Sequence, residues 1–179
     1  MGYSLSWLAV QAIDRQDLLA ALELETTGAR EEIAESDLVM ATLPGDWHIV
    51  LSNRDERFDD TGLLERLSRG REIIACFVEE HVMYSEARGF SDGKLVWSVI
   101  HDAQAGLDHL ETDGALPASY AGIRERIEHQ RRAASEAQAD FLFDVPIELA
   151  KMLTGFRHDE DITGDEAEPF EVLASRSTE

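Results

Sequence analysis

Two histidines and an aspartate, His81, Asp102 and His109, stand at the polar ends of apolar segments that follow one another along the chain. Two imidazoles and one carboxylate are the ligand set of many transition-metal sites that keep positions open for water or substrate. The same residues would also serve as a histidine base that an aspartate orients. Either chemistry requires the three side chains to share one face of a sheet.

The turns between these segments decide whether that requirement is met. A two-residue turn at Asp92-Gly93 pairs Met83 with Asp102 and makes His81 a diagonal neighbour of Asp102, with about 7 to 8 Å between their backbones. A second short turn places His109 on the same face as Asp102. The opposite face then receives a second polar set, Tyr84, His101 and Asp108, with Glu80 nearby. We interpret this second set as a structural hydrogen-bond network.

Both sets depend on a segment that the sequence predicts to be a buried strand, residues 72 to 82, which is apolar on both faces. Apolar periodicity predicts further strands at 4 to 11, 37 to 43 and 47 to 53, and helices at 15 to 24 and 60 to 69. This order of strands and helices is that of the ferredoxin-like βαββαβ topology. A continuation of the buried strand through residue 88 and strands at 95 to 102 and 107 to 112 extend it as an antiparallel β-meander.

Local signals support several of these elements. Asp14 is placed to cap the first helix, and Gly70 is placed to end the second. Pro44-Gly45 joins two apolar segments, because proline presets φ and glycine supplies the positive φ of a type II turn. The fold class that follows is α+β, with C-terminal helices after the meander.

The C-terminal part of the chain is predicted to be helical and then irregular. Pro117 begins a long helix to about residue 139, and a shorter helix follows from Asp144 to near Gly155. We therefore predict one α+β domain at 1 to 156, with its sheet at 1 to 114 and its helices at 117 to 156, and a flexible acidic tail at 157 to 179. If the long helix leaves the second sheet face open, a homodimer should cover it.

The chain is strongly acidic, with a formal charge of -21 from 37 acidic and 16 basic residues. This charge repels phosphate backbones and anionic membrane surfaces, so we expect neither nucleic-acid nor membrane binding. It favours a basic protein as partner. Cys76 is alone, so no intrachain disulfide can form, and the first ten residues lack a secretion signal pattern. Both observations indicate the reducing cytoplasm.

Two functions from different classes follow. The first, which we favour because no hydrolase, phosphate-loop, dinucleotide or zinc-protease motif is found in the sequence, is a noncatalytic protein that binds a macromolecular partner as an inhibitor, adaptor or immunity-like protein. The alternative is a small metal-dependent or histidine-base enzyme, or a ligand-binding protein, centred on His81, Asp102 and His109. A transition metal would be the cofactor of that site, whereas the first function requires no cofactor.

Overall fold

The computed structural model describes residues 2–134, 139–164 and 166–176. Within these residues the chain forms nine strands, a short 3₁₀-helix and four α-helices. In chain order they are β1 (Ser4–Val10), α1 (Arg15–Ala21), β2 (Leu24–Glu31), β3 (Leu38–Leu43), β4 (Trp47–Asn53), the 3₁₀-helix (Arg57–Asp59), α2 (Thr61–Leu67), β5 (Glu72–Glu79), β6 (Tyr84–Ser91), β7 (Lys94–Asp102), β8 (Glu111–Gly114), α3 (Tyr120–Ala133), α4 (Asp144–Thr154) and β9 (Phe170–Ser175).

The strands form one antiparallel sheet in the order β2-β9-β3-β4-β1-β5-β6-β7-β8. The α+β class and the antiparallel pairing of these strands are as predicted, but the last strand of the meander, predicted at 107 to 112, is Glu111–Gly114. The sheet is larger than that of a simple ferredoxin fold, and the ferredoxin-like order predicted from the sequence is not confirmed.

The helix and turn signals read from the sequence have the expected geometry. The Asp14 carboxylate accepts a hydrogen bond from the Gln16 amide at 2.8 Å at the start of α1. Asp60 caps α2 in the same way. Gly45 and Gly70 have φ values of 85° and 72°, the left-handed conformations that their turn and helix-end positions require.

The sheet is covered on both faces by helices of the same chain. On one face, α1 and α2 pack over Leu8, Val50 and Ile73. On the other face, α3 and α4 pack over Trp7, Leu51 and other core residues. The C-terminal helices therefore cover the second sheet face. A homodimer was expected to cover this face only if the helices left it open. The observed α3 is shorter than predicted, and residues 135 to 138 of the prediction lie outside the described residues.

The strand predicted for residues 72 to 82, with its continuation through residue 88, is two strands. It ends at Glu79, turns over residues 80 to 83 and returns as β6. The turn contains no glycine, proline or asparagine, and Met83 itself adopts a positive φ of 53°. Because a β-turn without these residues has no clear sequence signal, a continuous strand was predicted in its place.

The predicted register of β6 and β7 is also corrected. Ser91 pairs with Lys94 as expected, but the ladder shifts by one residue at Gly89, which pairs with Trp97. A Cβ atom on Gly89 would lie 2.1 Å from the Trp97 indole nitrogen, so this β-bulge fits the ring over a residue without a side chain. As a consequence Tyr84, and not Met83, pairs with Asp102.

Two strands, β2 and β9, lie where no strand is predicted from the sequence. The sequence predicts a polar connection where β2 lies, and a flexible tail where Phe170–Ser175 forms β9. Strand β9 pairs with β2 on one side and β3 on the other, which places Leu173 and Phe170 in the cores of opposite faces. Strand β9 was not predicted because the strands that it pairs with lie more than a hundred residues away in the sequence. Local composition gives no signal of such pairing.

We predict that Leu173→Ala destabilises the protein by about 2 to 5 kcal/mol, because it removes a buried leucine from a packed core. Denaturant unfolding measures this change. The control is Met152→Ala, since Met152 is 63% exposed and its truncation should change the free energy of unfolding by less than about 0.5 kcal/mol. Equal small effects of both substitutions would restore the flexible-tail interpretation.

Candidate functional site

The structure places His81 in the turn between β5 and β6, with 63% of its side chain exposed. Its Nδ1 atom lies 2.6 Å from Glu79 Oε1, and the same oxygen accepts from the His81 amide at 3.0 Å. A hydrogen bond from Ser4, together with those from His81, lowers the pKa of Glu79. His81 therefore has a local partner, Glu79, that the predicted site does not include.

Asp102 and His109 lie close together at the end of β7. The Asp102 amide donates to His109 Nδ1 at 3.0 Å, and the Asp102 carboxylate accepts from the Gln104 amide at 2.8 Å. His109 is in the loop before β8 and not on a strand. In the three described ranges, no group of three or more His, Cys, Asp or Glu side chains is arranged to hold a metal ion. The site of His81, Asp102 and His109 stays a prediction.

The second predicted set is divided between the two sheet faces. The one-residue shift puts Tyr84 on the face of Asp102, where its hydroxyl donates to Glu86 at 3.1 Å. Asp108 forms an ion pair with Arg131. His101 is completely buried on the other face. The expected tyrosine, histidine and aspartate network is therefore not formed.

His101 instead bonds to groups that the sequence did not indicate. Its Nδ1 lies 2.7 Å from the His109 carbonyl and its Nε2 lies 2.8 Å from Asp140 Oδ2. A carbonyl oxygen and a carboxylate oxygen thus face the two ring nitrogens of the buried His101. These buried contacts join the loop before β8 to the segment before α4, which is a structural role.

We predict that Asp140→Ala destabilises the protein by about 1 to 3 kcal/mol, because it leaves a ring nitrogen of the buried His101 without its hydrogen-bond partner. The matched control is Asp108→Ala, which breaks the exposed ion pair with Arg131 and should cost less than about 1 kcal/mol. Urea unfolding of both variants distinguishes them, and a negligible effect of Asp140→Ala would contradict the buried hydrogen bond.

A small cavity lies where the start of β1, the loop after β2 and the segment after α4 meet. Its volume is about 180 Å³. The apolar part of its wall consists of Tyr3, Leu5, Ile33, Ala34, Leu51 and Phe170. The polar part consists of Asn53, His158 and the carboxylates of Glu32, Asp159, Glu160 and Asp161. We call this space the His158 cavity.

The segment after α4 positions His158 by anchoring the residues before it. Phe156 is buried and meets Trp7 edge to face, with ring centroids 5.1 Å apart. Arg157 turns the other way and pairs with Asp144 at 2.9 Å and Glu148 at 2.6 Å on α4. The alternation between a core residue and an α4 contact directs His158 toward the start of β1.

Tyr3 closes the other side of His158. The two rings meet at 83° with their centroids 5.0 Å apart. Tyr3 is held in place by Glu80, whose carboxylate accepts from the Tyr3 amide at 2.9 Å and whose own amide donates to the Tyr3 carbonyl at 2.8 Å. Glu80, from the polar triplet of residues 79 to 81, thus stabilises one wall of the cavity.

His158 is the most unusual ionisable group of the cavity. Both of its ring nitrogens are shielded from solvent, and neither has a hydrogen-bond partner among the described residues. Burial lowers the pKa of His158 to about 4, an effect that Asp159 opposes and Arg157 reinforces. The imidazole is therefore neutral at pH 7 and offers one acceptor and one donor nitrogen.

The carboxylates at the rim differ in their partners. Asp159 pairs with Arg157 at 2.6 Å, and Glu160 pairs with Lys151 at the same distance. Glu32 and Asp161 form no ion pair in the part of the chain that the structure describes. Apolar walls, a neutral acceptor and two unneutralised carboxylates together suit a cationic group on an apolar stem.

The sequence does not indicate this cavity, because His158 lies in the segment predicted to be a flexible acidic tail. The available signal was the two-residue spacing of Phe156 and His158, which recurs among the apolar residues of β9. Such spacing is typical of extended segments with one buried face. Each of the two segments is too short, however, to outweigh the acidic composition of the residues that lie between the segments.

Comparison of the chain with protein-family models, with curated proteins and with solved structures finds no match. None of the helices in the described ranges has the length and hydrophobicity to cross a bilayer. Function must therefore be inferred from the geometry of the chain itself.

The pKa of His158 predicts an acid-dependent loss of stability. The unfolded chain binds a proton near pH 6.5, whereas the folded chain does so only near pH 4, so stability is lost as the pH falls from about 6.5 to 4. Between pH 7 and about pH 4.5, we expect the free energy of unfolding of His158→Phe to fall by about 2 kcal/mol less than that of the wild type. Because the carboxylates titrate in both proteins, this difference isolates the effect of His158. Denaturant unfolding at both pH values measures this difference, and parallel losses would show that His158 is not buried in its neutral form.

Proposed function

We propose that this protein acts by binding a basic protein, and that a lysine or arginine side chain of that partner occupies the His158 cavity. The observation that carries the proposal is the neutral His158, whose ring nitrogens are shielded and have no partner among the described residues, next to unneutralised rim carboxylates. A cationic group that donates to those carboxylates, with the imidazole turned toward it as an acceptor, would satisfy both.

The size of the cavity supports one side chain as its occupant. Pockets for small molecules have volumes of about 300 to 1,000 Å³, whereas this cavity has about 180 Å³. The stem of a lysine or arginine would pack against Leu5, Leu51 and Phe170, which are buried and apolar. Its charged end would then meet Asp161 or Glu32 at the rim.

The surroundings of the cavity favour a protein over a free amine. Tyr3 and Ile33 line it and are 44% and 61% exposed, so apolar contact area continues outside the cavity. The net charge of -21 would accelerate association with a basic surface through long-range attraction. Anchor residues that fill pockets within such contacts contribute much of the affinity of protein complexes.

The role that fits this site is that of an inhibitor, adaptor or immunity-like protein in the cytoplasm. The cytoplasmic location is supported by the single, buried Cys76, whose thiol pKa is raised by burial, which makes it unreactive. We further propose that β3, β4, β1 and β5 represent a ferredoxin-like unit within the larger sheet, supported by their adjacency and by α1 and α2 on one face. A homodimer stays a separate prediction.

The alternative of an enzyme or ligand-binding protein centred on His81, Asp102 and His109 has weaker support. The contact between Asp102 and His109 favours it, but His81 is bonded to Glu79 in a different loop. It stays a prediction, and metal analysis of the purified protein tests it directly.

The docking proposal is tested with a fluorescein-labelled octapeptide of alternating arginine and leucine. We expect saturable binding by fluorescence anisotropy at about 150 mM ionic strength, where purely long-range attraction is screened beyond roughly 8 Å. The double variant Glu32→Gln, Asp161→Asn should bind the peptide about fivefold to tenfold more weakly, because two ion pairs at the cavity are lost. His158→Phe should weaken binding further.

The control is Glu111→Gln, Asp113→Asn on the exposed edge strand β8, which removes the same charge far along the sheet from the cavity. We expect this variant to bind within twofold of the wild type. Equal weakening in both double variants would show that only net charge matters. Equal binding of an octapeptide with glutamine in place of arginine would also contradict the proposal.

A further inference from the structure

A second, larger cleft lies on the other side of β9, between the end of α1, the 3₁₀-helix, α2 and the end of β9. Its volume is about 490 Å³, within the range of small-molecule pockets. Three arginines line it, Arg57 from the 3₁₀-helix, Arg66 from α2 and Arg176 from the residue after β9. In a chain with 37 acidic residues, three arginines around one cleft are unexpected.

These arginines differ from half of the sixteen basic residues in the chain. Eight others pair with carboxylates, Arg15, Arg30, Arg88, Arg124, Arg126, Arg131, Lys151 and Arg157. Within the described ranges, Arg57, Arg66 and Arg176 form no such pair. Their guanidinium groups therefore retain donors for an external anion.

Two of the arginines are fixed at the cleft by hydrogen bonds that leave donors free. The Arg176 amide donates to the Glu23 carbonyl at 2.8 Å, and its Nε donates to the Leu24 carbonyl at 3.1 Å. Arg57 Nη2 reaches Ser175 Oγ at 3.4 Å. The end of β9 thus holds Arg176 beside β2 and lies within reach of the 3₁₀-helix.

The carboxylates of the same cleft do not cancel its charge. Asp60 and Glu23 also line it, so the formal balance is three positive against two negative groups. The Asp60 carboxylate already accepts from the Gly62 amide at 2.8 Å and the Leu63 amide at 3.2 Å, as the cap of α2. The cleft is locally positive in a protein of charge -21.

Part of the cleft wall is apolar. Leu22 and Leu63 line the cleft, are half-buried and pack over the core that contains Phe58. Arginines with free donors beside an apolar surface match a ligand that carries an anionic group on an apolar body. We propose that this cleft binds a small organic anion, whose phosphate or carboxylate contacts the arginines and whose apolar part packs against Leu22 and Leu63.

This site is independent of the proposed docking function. The two ligands have opposite charge, and the two sites share no lining residue. An anion bound at Arg176 would stabilise the end of β9, and thereby the sheet position of a strand whose first residue, Phe170, lines the His158 cavity.

The test is isothermal titration of the full chain with phenyl phosphate, benzoate and benzyl alcohol. We expect saturable binding of phenyl phosphate, benzoate or both, which distinguishes phosphate from carboxylate as the recognised group, and at least tenfold weaker binding of benzyl alcohol. The double variant Arg57→Gln, Arg66→Gln should bind the preferred anion about tenfold to hundredfold more weakly, because hydrogen bonds to charged groups are lost.

The matched control is Arg69→Gln, Arg132→Gln, which removes the same charge from exposed arginines that do not line the cleft. It should bind within about twofold of the wild type, and thermal unfolding of both variants confirms that they fold. The proposal is overturned if neither anion binds saturably, if benzyl alcohol binds as well as the anions, or if both double variants weaken binding equally.

Discussion

The insertion of β9 between β2 and β3 is the constraint on which both candidate sites depend. Its first residue, Phe170, lines the His158 cavity, and Arg176, directly after its last residue, lines the arginine cleft. Without β9, strand β2 would lose the one strand that pairs with it within residues 2–134, 139–164 and 166–176. Strand β9 therefore completes the sheet and lies between two surfaces of opposite charge.

The register of β9 is specified because both of its faces are buried against different helices. Phe170 belongs to the core under α3 and α4, and Leu173 to the core under α1 and α2. A slip of one residue would exchange these faces and remove each side chain from the core in which it packs. The ion pairs of Glu171 with Arg15 and Arg30 add a polar contact across the strand in the same register. A six-residue strand spans about 20 Å, so one register fixes two sites at that distance.

Much of the local structure could be predicted from the sequence, because its causes are local. Asp14 caps α1 through the Gln16 amide, and Gly45 and Gly70 supply the φ values that their turns require. The features that were missed have non-local or weak causes. The turn at Met83 has no glycine, and the bulge at Gly89 depends on the Trp97 ring across the hairpin. Since the predicted site of His81, Asp102 and His109 required this register, one extra residue was enough to change its neighbours.

The charges of the chain are better understood by location than by their sum. The value of -21 describes the long-range field, but it conceals that Arg57, Arg66 and Arg176 line one cleft. Short-range recognition depends on desolvated groups within a few ångströms, because exposed charges more than about 8 to 10 Å away are largely screened by salt. A protein with this net charge can therefore attract a basic protein at long range and still hold an organic anion in a cleft whose local charge has the opposite sign.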